Sequence, residues 1–385
     1  MYIHKTTEQN TSQHIAPIMN KMKPEDINSE EEKPIIRYYR NMVGHLVKVL
    51  ESPEYNYIFS LGIGRLMRWG ITKEADPEFC KYGPEILDIE VSTKCSKACP
   101  WCYKSNGPIG KNMSFKTFKH ILDMIPQTLT QIAFGIGDID TNPELWQMMR
   151  YCRDHMIIPN LTINGERMTP QYYDLIASNC GACAVSLYDK ETCYNTVKEL
   201  TDRRMTQVNI HCLLSEETFQ KCKDVLHDRL KDPRLANLNA VVFLWLKPKG
   251  DRNNLNKLSS MDKFKELLKY SFDNDIKIGF DSCTSPMFLE AIDGTPHYDE
   301  MYKCVDPCES TLFSYYINVD GIGHPCSFSE TLGKGVDLTK TNNFLKDVWN
   351  HHSTLGFRKQ LEKGKDKRGC RTCPIYNLTP QMTSF

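Results

Sequence analysis

Between residues 85 and 280 the spacing of apolar positions switches repeatedly between two periods. Short β-branched and aromatic runs fall at 85–92, 131–136, 158–164, 182–188, 208–214 and 240–247. Between and after them lie stretches of helical period, at 115–125, 143–155, 170–177, 190–202, 216–230 and 261–274. Strands separated by helices of this length predict βαβ units with right-handed crossovers and a parallel sheet. The six repeats, with a seventh run at 276–280, suit an open or partial (β/α)6 barrel better than a closed eight-stranded one.

The flanks read differently. Residues 1–33 are polar, charged and without period, which predicts disorder or an arm. From 34 to about 66, Ile36, Tyr39, Met42, Val43, Leu46 and Leu50 recur at helical spacing and predict a helical extension. The glycine-punctuated SLGIGRLMRWG follows. This first 84-residue stretch serves either to pack against the barrel or to recognise substrate. After residue 281 the pattern changes again, and YYINVDGIGHPC predicts a β-hairpin through Asp320-Gly321. The expected division is 1–84 as an extension, 85–281 as the barrel and 282–385 as a small metal-organised domain.

Composition narrows the chemistry. Lys+Arg and Asp+Glu both number 48, which removes the basic excess expected of a nucleic-acid binder. No apolar run is long enough for a membrane span, and the polar N-terminus lacks a signal-peptide core, so a cytoplasmic setting is expected. In a reducing compartment, 16 cysteines are metal ligands, catalytic thiols or core residues before they are disulfides. The histidines form no metal-hydrolase motif, and the glycine runs lack the Lys-Ser/Thr of a phosphate loop.

Cys95, Cys99 and Cys102 lie in VSTKCSKACPWCYKSN, directly after the first strand. Loops at the C-terminal ends of parallel strands are where cofactors bind. Three thiolates can hold a 4Fe–4S cube and leave one iron open to an incoming ligand. A zinc loop would need a fourth ligand in reach, and no cysteine or histidine follows Cys102 before His120. This C-x3-C-x-aromatic-C arrangement, with Trp101 as the aromatic, resembles the signature of the radical S-adenosylmethionine (SAM) superfamily. The resemblance continues in order along the strands. Ile136-Gly137-Asp138 in FGIGDID is similar to the family's Gly-Gly-Glu segment, with Ile for the first Gly and Asp for Glu. LTINGERMTP carries a Thr-x-Asn-Gly turn, and Ser186 in AVSLYDKET matches a ribose-contacting position. It implies a 4Fe–4S cluster on Cys95, Cys99 and Cys102, and SAM contacts from Trp101, Tyr103, Gly137, Asp138, Asn164 and Ser186. It also implies reductive cleavage of SAM to a radical that abstracts hydrogen from substrate, and an electron donor such as flavodoxin or ferredoxin.

A second set follows. Cys308, with the spacing C-x12-G-x4-C to Cys326, precedes the pair Cys370 and Cys373. These resemble the twitch/SPASM auxiliary-cluster domains of the same superfamily, closer to the twitch type because no further cysteine follows. The resemblance implies a second, fully ligated 4Fe–4S cluster on Cys308, Cys326, Cys370 and Cys373, with Cys304 a possible substitute for Cys308. Two spaced pairs also suit a zinc ribbon, so a non-catalytic zinc module is the reading from another class. Cys283, just past the last strand, is a hydrogen-atom or proton donor, a cluster contact or a small buried thiol. The other cysteines, Cys180 and Cys183 among them, read as core. Relatives of this kind act on peptide or protein side chains, or on a small sugar, aminocyclitol or nucleotide; the former is the leading expectation.

Overall fold

The alternating pattern has a direct counterpart in the computed structural model, which describes residues 2–3, 33–365 and 371–376. The strands are, in chain order, β1 (Tyr2–Ile3), β2 (Ile35–Arg40), β3 (Leu46–Glu51), β4 (Asn56–Ser60), β5 (Arg65–Trp69), β6 (Ile86–Glu90), β7 (Gln131–Gly135), β8 (Ile158–Ile163), β9 (Cys183–Ser186), β10 (Val208–Leu214), β11 (Ala240–Trp245), β12 (Ile278–Phe280), β13 (Ser314–Ile317), β14 (Ile322–His324) and β15 (Val336–Asp337). β6 to β12 pair in parallel with their neighbours in sequence order. Six helices fill the crossovers, for example Phe115–Met124, Lys190–Asp202 and Met261–Asp273. Their starts are set locally: Ser114, Thr169, Asp189 and Ser260 each accept a first-turn N–H.

Every crossover steps one strand in the same direction, and right-handed connections of that kind gather the helices on one face. That face holds the core, where Leu87, Ile89, Phe118, Phe134 and Val185 are buried. The opposite face takes the alternate residues, among them Asp88, Glu90, Ser186 and His211. β13 pairs in parallel with β6, from Ser314 opposite Ile86 to Ile317 opposite Ile89. The Asp320-Gly321 hairpin then adds β14, and β15 completes an eleven-stranded sheet. The cysteine-rich C-terminal region is thereby stitched onto the strand that precedes Cys95.

One expectation fails. The helical extension placed over 34–66 is instead a four-stranded antiparallel sheet, in the order β2-β3-β4-β5. Apolar positions at 36, 39, 46 and 50 also satisfy the turns and two-residue alternation of a meander, and β-branched and aromatic residues such as Ile35, Tyr38, Val47 and Tyr57 favour it. The decisive residue is Gly44, whose φ of 83° closes the β2–β3 turn with a bond from its N–H to Asn41 O. The sheet covers the N-terminal ends of the parallel strands. Lys48 Nζ donates to Leu129 O at 2.8 Å, and Tyr57 OH donates to Thr128 O at 2.8 Å. Arg68 bonds Glu85 at 2.9 Å and Glu309 at 2.6 Å. Residues 4–32, expected to be an arm, lie outside the described residues. Among the described residues, no helix is long and apolar enough to cross a membrane.

Candidate functional site

The loop after β6 is folded tightly before any ligand is considered. Cys95 N–H bonds Gly107 O at 2.7 Å, and Cys102 N–H bonds Cys99 O at 3.1 Å. The N–H groups of Lys97 and Ala98 point at the Cys95 sulfur, with Ala98 held at a φ of 42°. Cys95, Cys99 and Cys102 lie close enough to act on one another and on Tyr188. The Tyr188 side chain faces Cys99, and its backbone N–H donates to Ser186 O at 2.9 Å at the end of β9. Burial pushes the Cys95 and Cys99 thiols up, so a metal taken up here displaces protons.

Asp138 locks this loop to the end of β7. It is 1% exposed; its Oδ2 accepts from Ser96 N–H at 2.8 Å, and its Oδ1 accepts from Ser96 Oγ at 3.0 Å and Asn164 Nδ2 at 2.7 Å. Asn164 Nδ2 also lies 3.9 Å from Cys95 Sγ. Gly137 allows the close approach. A Cβ there would lie 2.2 Å from Lys94 O and 2.5 Å from Cys95 Cβ, closer than side chains are found. Trp101 faces Tyr188, with ring centroids 6.5 Å apart. Cys95, Cys99, Cys102, Trp101, Gly137, Asp138, Asn164 and Ser186 thus meet at one end of the sheet. Tyr103 points elsewhere, stacking on Phe328 at 4.5 Å near the C-terminal cysteines.

The second set converges in part. Cys283 lies within electrostatic range of Cys308, Cys326 and Cys373. Cys304 is exposed. Cys370 lies outside the described residues. Among the described residues, no three or more His, Cys, Asp or Glu side chains close around a single-ion position. Cys180, Cys183, Cys80, Cys152, Cys193, Cys212 and Cys222 are buried.

Several residues join the two sets, and sequence reasoning missed them. Lys104, two residues after Cys102, donates to Tyr316 OH at 2.6 Å, pairs with Glu330 and lies 3.3 Å from Glu90. Lys249 donates to Ser327 O at 2.8 Å. On the helix-free face stand His211, half-buried, and Asp88, exposed. His211 pairs in register with Ser186, on the same face of the sheet. Only the alternation of polar residues within apolar strands hinted at these groups. A cavity of about 710 Å³ lined by Arg204, Arg229, Asn239 and Lys277 opens at the N-terminal ends of β10 to β12, away from this end.

No family model matches the chain, and no curated protein matches it. Among solved structures, it shares its fold with SuiB of Streptococcus suis, at 14% identity and a TM-score of 0.59, over 78% of this chain and 76% of that one. SuiB has been seen bound to S-adenosylmethionine, and bound to the precursor peptide SuiA at a TM-score of 0.62 and 13% identity to this chain. A second match is anSMEcpe with bound AdoMet and the Cp18Cys peptide, at 15% identity and a TM-score of 0.57, over 78% of this chain and 92% of that one.

Proposed function

We propose that this chain is a radical SAM enzyme that holds a 4Fe–4S cluster on Cys95, Cys99 and Cys102, with a second, auxiliary cluster nearby. The observation that carries this reading is the convergence of three thiols, locked by Asp138 and Gly137, at the C-terminal ends of the strands. The donor set fits. Three thiolates leave one corner of a cube for another ligand, and N–H groups already face the Cys95 sulfur. When bound, the cluster and SAM supply a 5′-deoxyadenosyl radical by one-electron reductive cleavage.

The chain's own residues position and shield. Asp138 and Asn164 fix the height of the Cys95 loop. Ser186 and Trp101 flank the place where the nucleoside of SAM would lie, with Tyr188 between them. Tyr103, set against Phe328, serves the joint with the C-terminal cysteines rather than SAM. His211 and Asp88 stand on the open face, where substrate would enter, and Asp88 is a carboxylate there that would accept a proton from it. The auxiliary cluster would exchange electrons with the first or with substrate, and flavodoxin or ferredoxin would deliver the reducing electron in the cytoplasm.

A peptide or protein side chain is the favoured substrate, because SuiB and anSMEcpe have both been seen with peptides bound. The N-terminal sheet sits at the opposite end of the strands and is a packing layer in this reading. Iron and sulfide counted after anaerobic reconstitution test the proposal. About eight irons per chain, falling to about four in Cys95→Ala/Cys99→Ala/Cys102→Ala, is the expected result. Zinc in place of iron would favour the structural zinc module instead.

A further inference from the structure

We infer that Cys283 supplies the fourth thiolate of the auxiliary cluster, beside Cys308, Cys326 and Cys373, in the place the sequence resemblance gives to Cys370. The inference rests on the auxiliary cluster proposed above. Its ground is that four separate segments are tied together around these sulfurs by two hydrogen bonds and a ring contact not made by the thiols themselves.

Cys283 lies in the single turn after β12, Ser282–Thr284. Ser285 Oγ, two residues on, donates to Asp306 O at 2.7 Å, which draws this turn to the loop carrying Cys308. Ser310 Oγ, two residues past Cys308, donates to Pro325 O at 2.5 Å, beside Cys326. Phe328 packs edge-on against Tyr376 at 6.4 Å, bringing the Cys373 segment to the Cys326 loop. The result is that the Cys283, Cys308, Cys326 and Cys373 segments come together, with the other three thiols within electrostatic range of Cys283.

The surroundings suit bound thiolates. Backbone N–H groups of Ser310 face Cys308, those of Phe328 and Ser329 face Cys326, and those of Ile375 and Tyr376 face Cys373. Such donors stabilise sulfur carrying negative charge and tune cluster potential. The same pattern occurs at Cys80, so it does not by itself mark a ligand; there the sulfur meets Tyr55. What sets the C-terminal group apart is several thiols together with a buried cation. Lys247, paired with Asp281, acts on both Cys283 and Cys373 and lies 5.3 Å from the Phe328 ring centre. A lone buried thiol would need none of this. A cube carries its thiolates at its corners rather than around one point, so the sulfurs need only border a shared space.

The test uses the full chain with Cys95, Cys99 and Cys102 all replaced by alanine, so that only auxiliary iron is counted. This background is expected to hold about four irons and four sulfides. Adding Cys283→Ala should reduce that to below about one, or leave a three-iron centre with its own electron paramagnetic resonance signal. Adding Cys370→Ala or Cys304→Ala should leave the count unchanged. Cys283→Ser, of similar size, is run beside the alanine variant so that a cavity cannot explain the loss. In the otherwise native chain, Cys283→Ala should keep the iron of the first site, which shows that it folds. Full auxiliary iron in both Cys283 variants overturns the inference, as does loss on Cys370→Ala. A background without iron, or with zinc, overturns the auxiliary cluster itself, and this inference with it.

Discussion

Replacing Gly137 with valine is expected to strip the first cysteine site of its iron while the auxiliary iron remains. The cause is steric and local. The new Cβ would sit 2.2 Å from Lys94 O, 2.5 Å from Cys95 Cβ and 2.8 Å from Cys95 Cα. All three belong to the backbone or the root of a side chain, so none can swing aside; the Cys95 loop has to lift. Overpacking of this kind costs about 1–3 kcal/mol, which a chain of this size survives. The larger effect is on geometry, because displacing a reacting group by ~1 Å costs on the order of 100-fold in rate. SAM cleavage should fall by at least that factor in Gly137→Val. Iron per chain and cleavage rate, measured on one preparation, check it, and native values for both would show that the loop does not need the glycine.

The largest effect on stability is expected at Arg68, outside the first cysteine site. Its guanidinium bonds Glu85, Glu309 and Asp306, and lies 3.9 Å from the Phe313 ring centre. It thus joins the N-terminal sheet, the start of the barrel and the loop that carries Cys308. Glu85 is 0% exposed, and burial pushes its carboxyl up to about 7 against the downward pull of Arg68. Arg68→Met keeps the packing of the stem but removes the charge, leaving Glu85 without its cation. Breaking such a pair costs about 3–5 kcal/mol. The pH dependence follows from the sign of the shift. A carboxyl raised in the folded state adds stability that is whole below the unfolded value of 4.5 and is lost as pH rises through about 7. Without Arg68 the carboxyl rises further, so the deficit of Arg68→Met should be small near pH 5 and full near pH 8. Denaturation midpoints at the two pH values check this, and an equal deficit at both would show that Glu85 is not the group left exposed to the cost. Adding Glu85→Gln should recover part of the loss.

The two predictions also show what the chain's pattern reveals on its own. The helix at Lys190–Asp202 and the strand at Val208–Leu214 could be read almost residue for residue, because local period and an N-cap aspartate specify them. The N-terminal sheet could not. Its apolar positions fit two periods, and the choice is made by pairing between strands and by the turn at Gly44. The hairpin at Asp320-Gly321 was legible as a turn, but not that its first strand would pair with β6, since that pairing joins residues far apart in the chain. At the site, Cys95, Cys99 and Cys102 announced themselves by spacing. Gly137 was visible only as part of a motif, and its reason is a contact with Cys95 that no local pattern encodes. Lys104, Glu90, Glu330 and Tyr316 lie in four separate segments and form a network only after folding. Cys283 is of the same kind, a single cysteine whose neighbours are supplied by the topology.

The measurement that tests the central claim most directly is the formation of 5′-deoxyadenosine from SAM by the reduced, reconstituted chain under anaerobic conditions. The account predicts its release by the native chain with dithionite, and none above a protein-free control from Cys95→Ala/Cys99→Ala/Cys102→Ala. Release that persists in that variant, or a native chain loaded with iron that releases none, would contradict it.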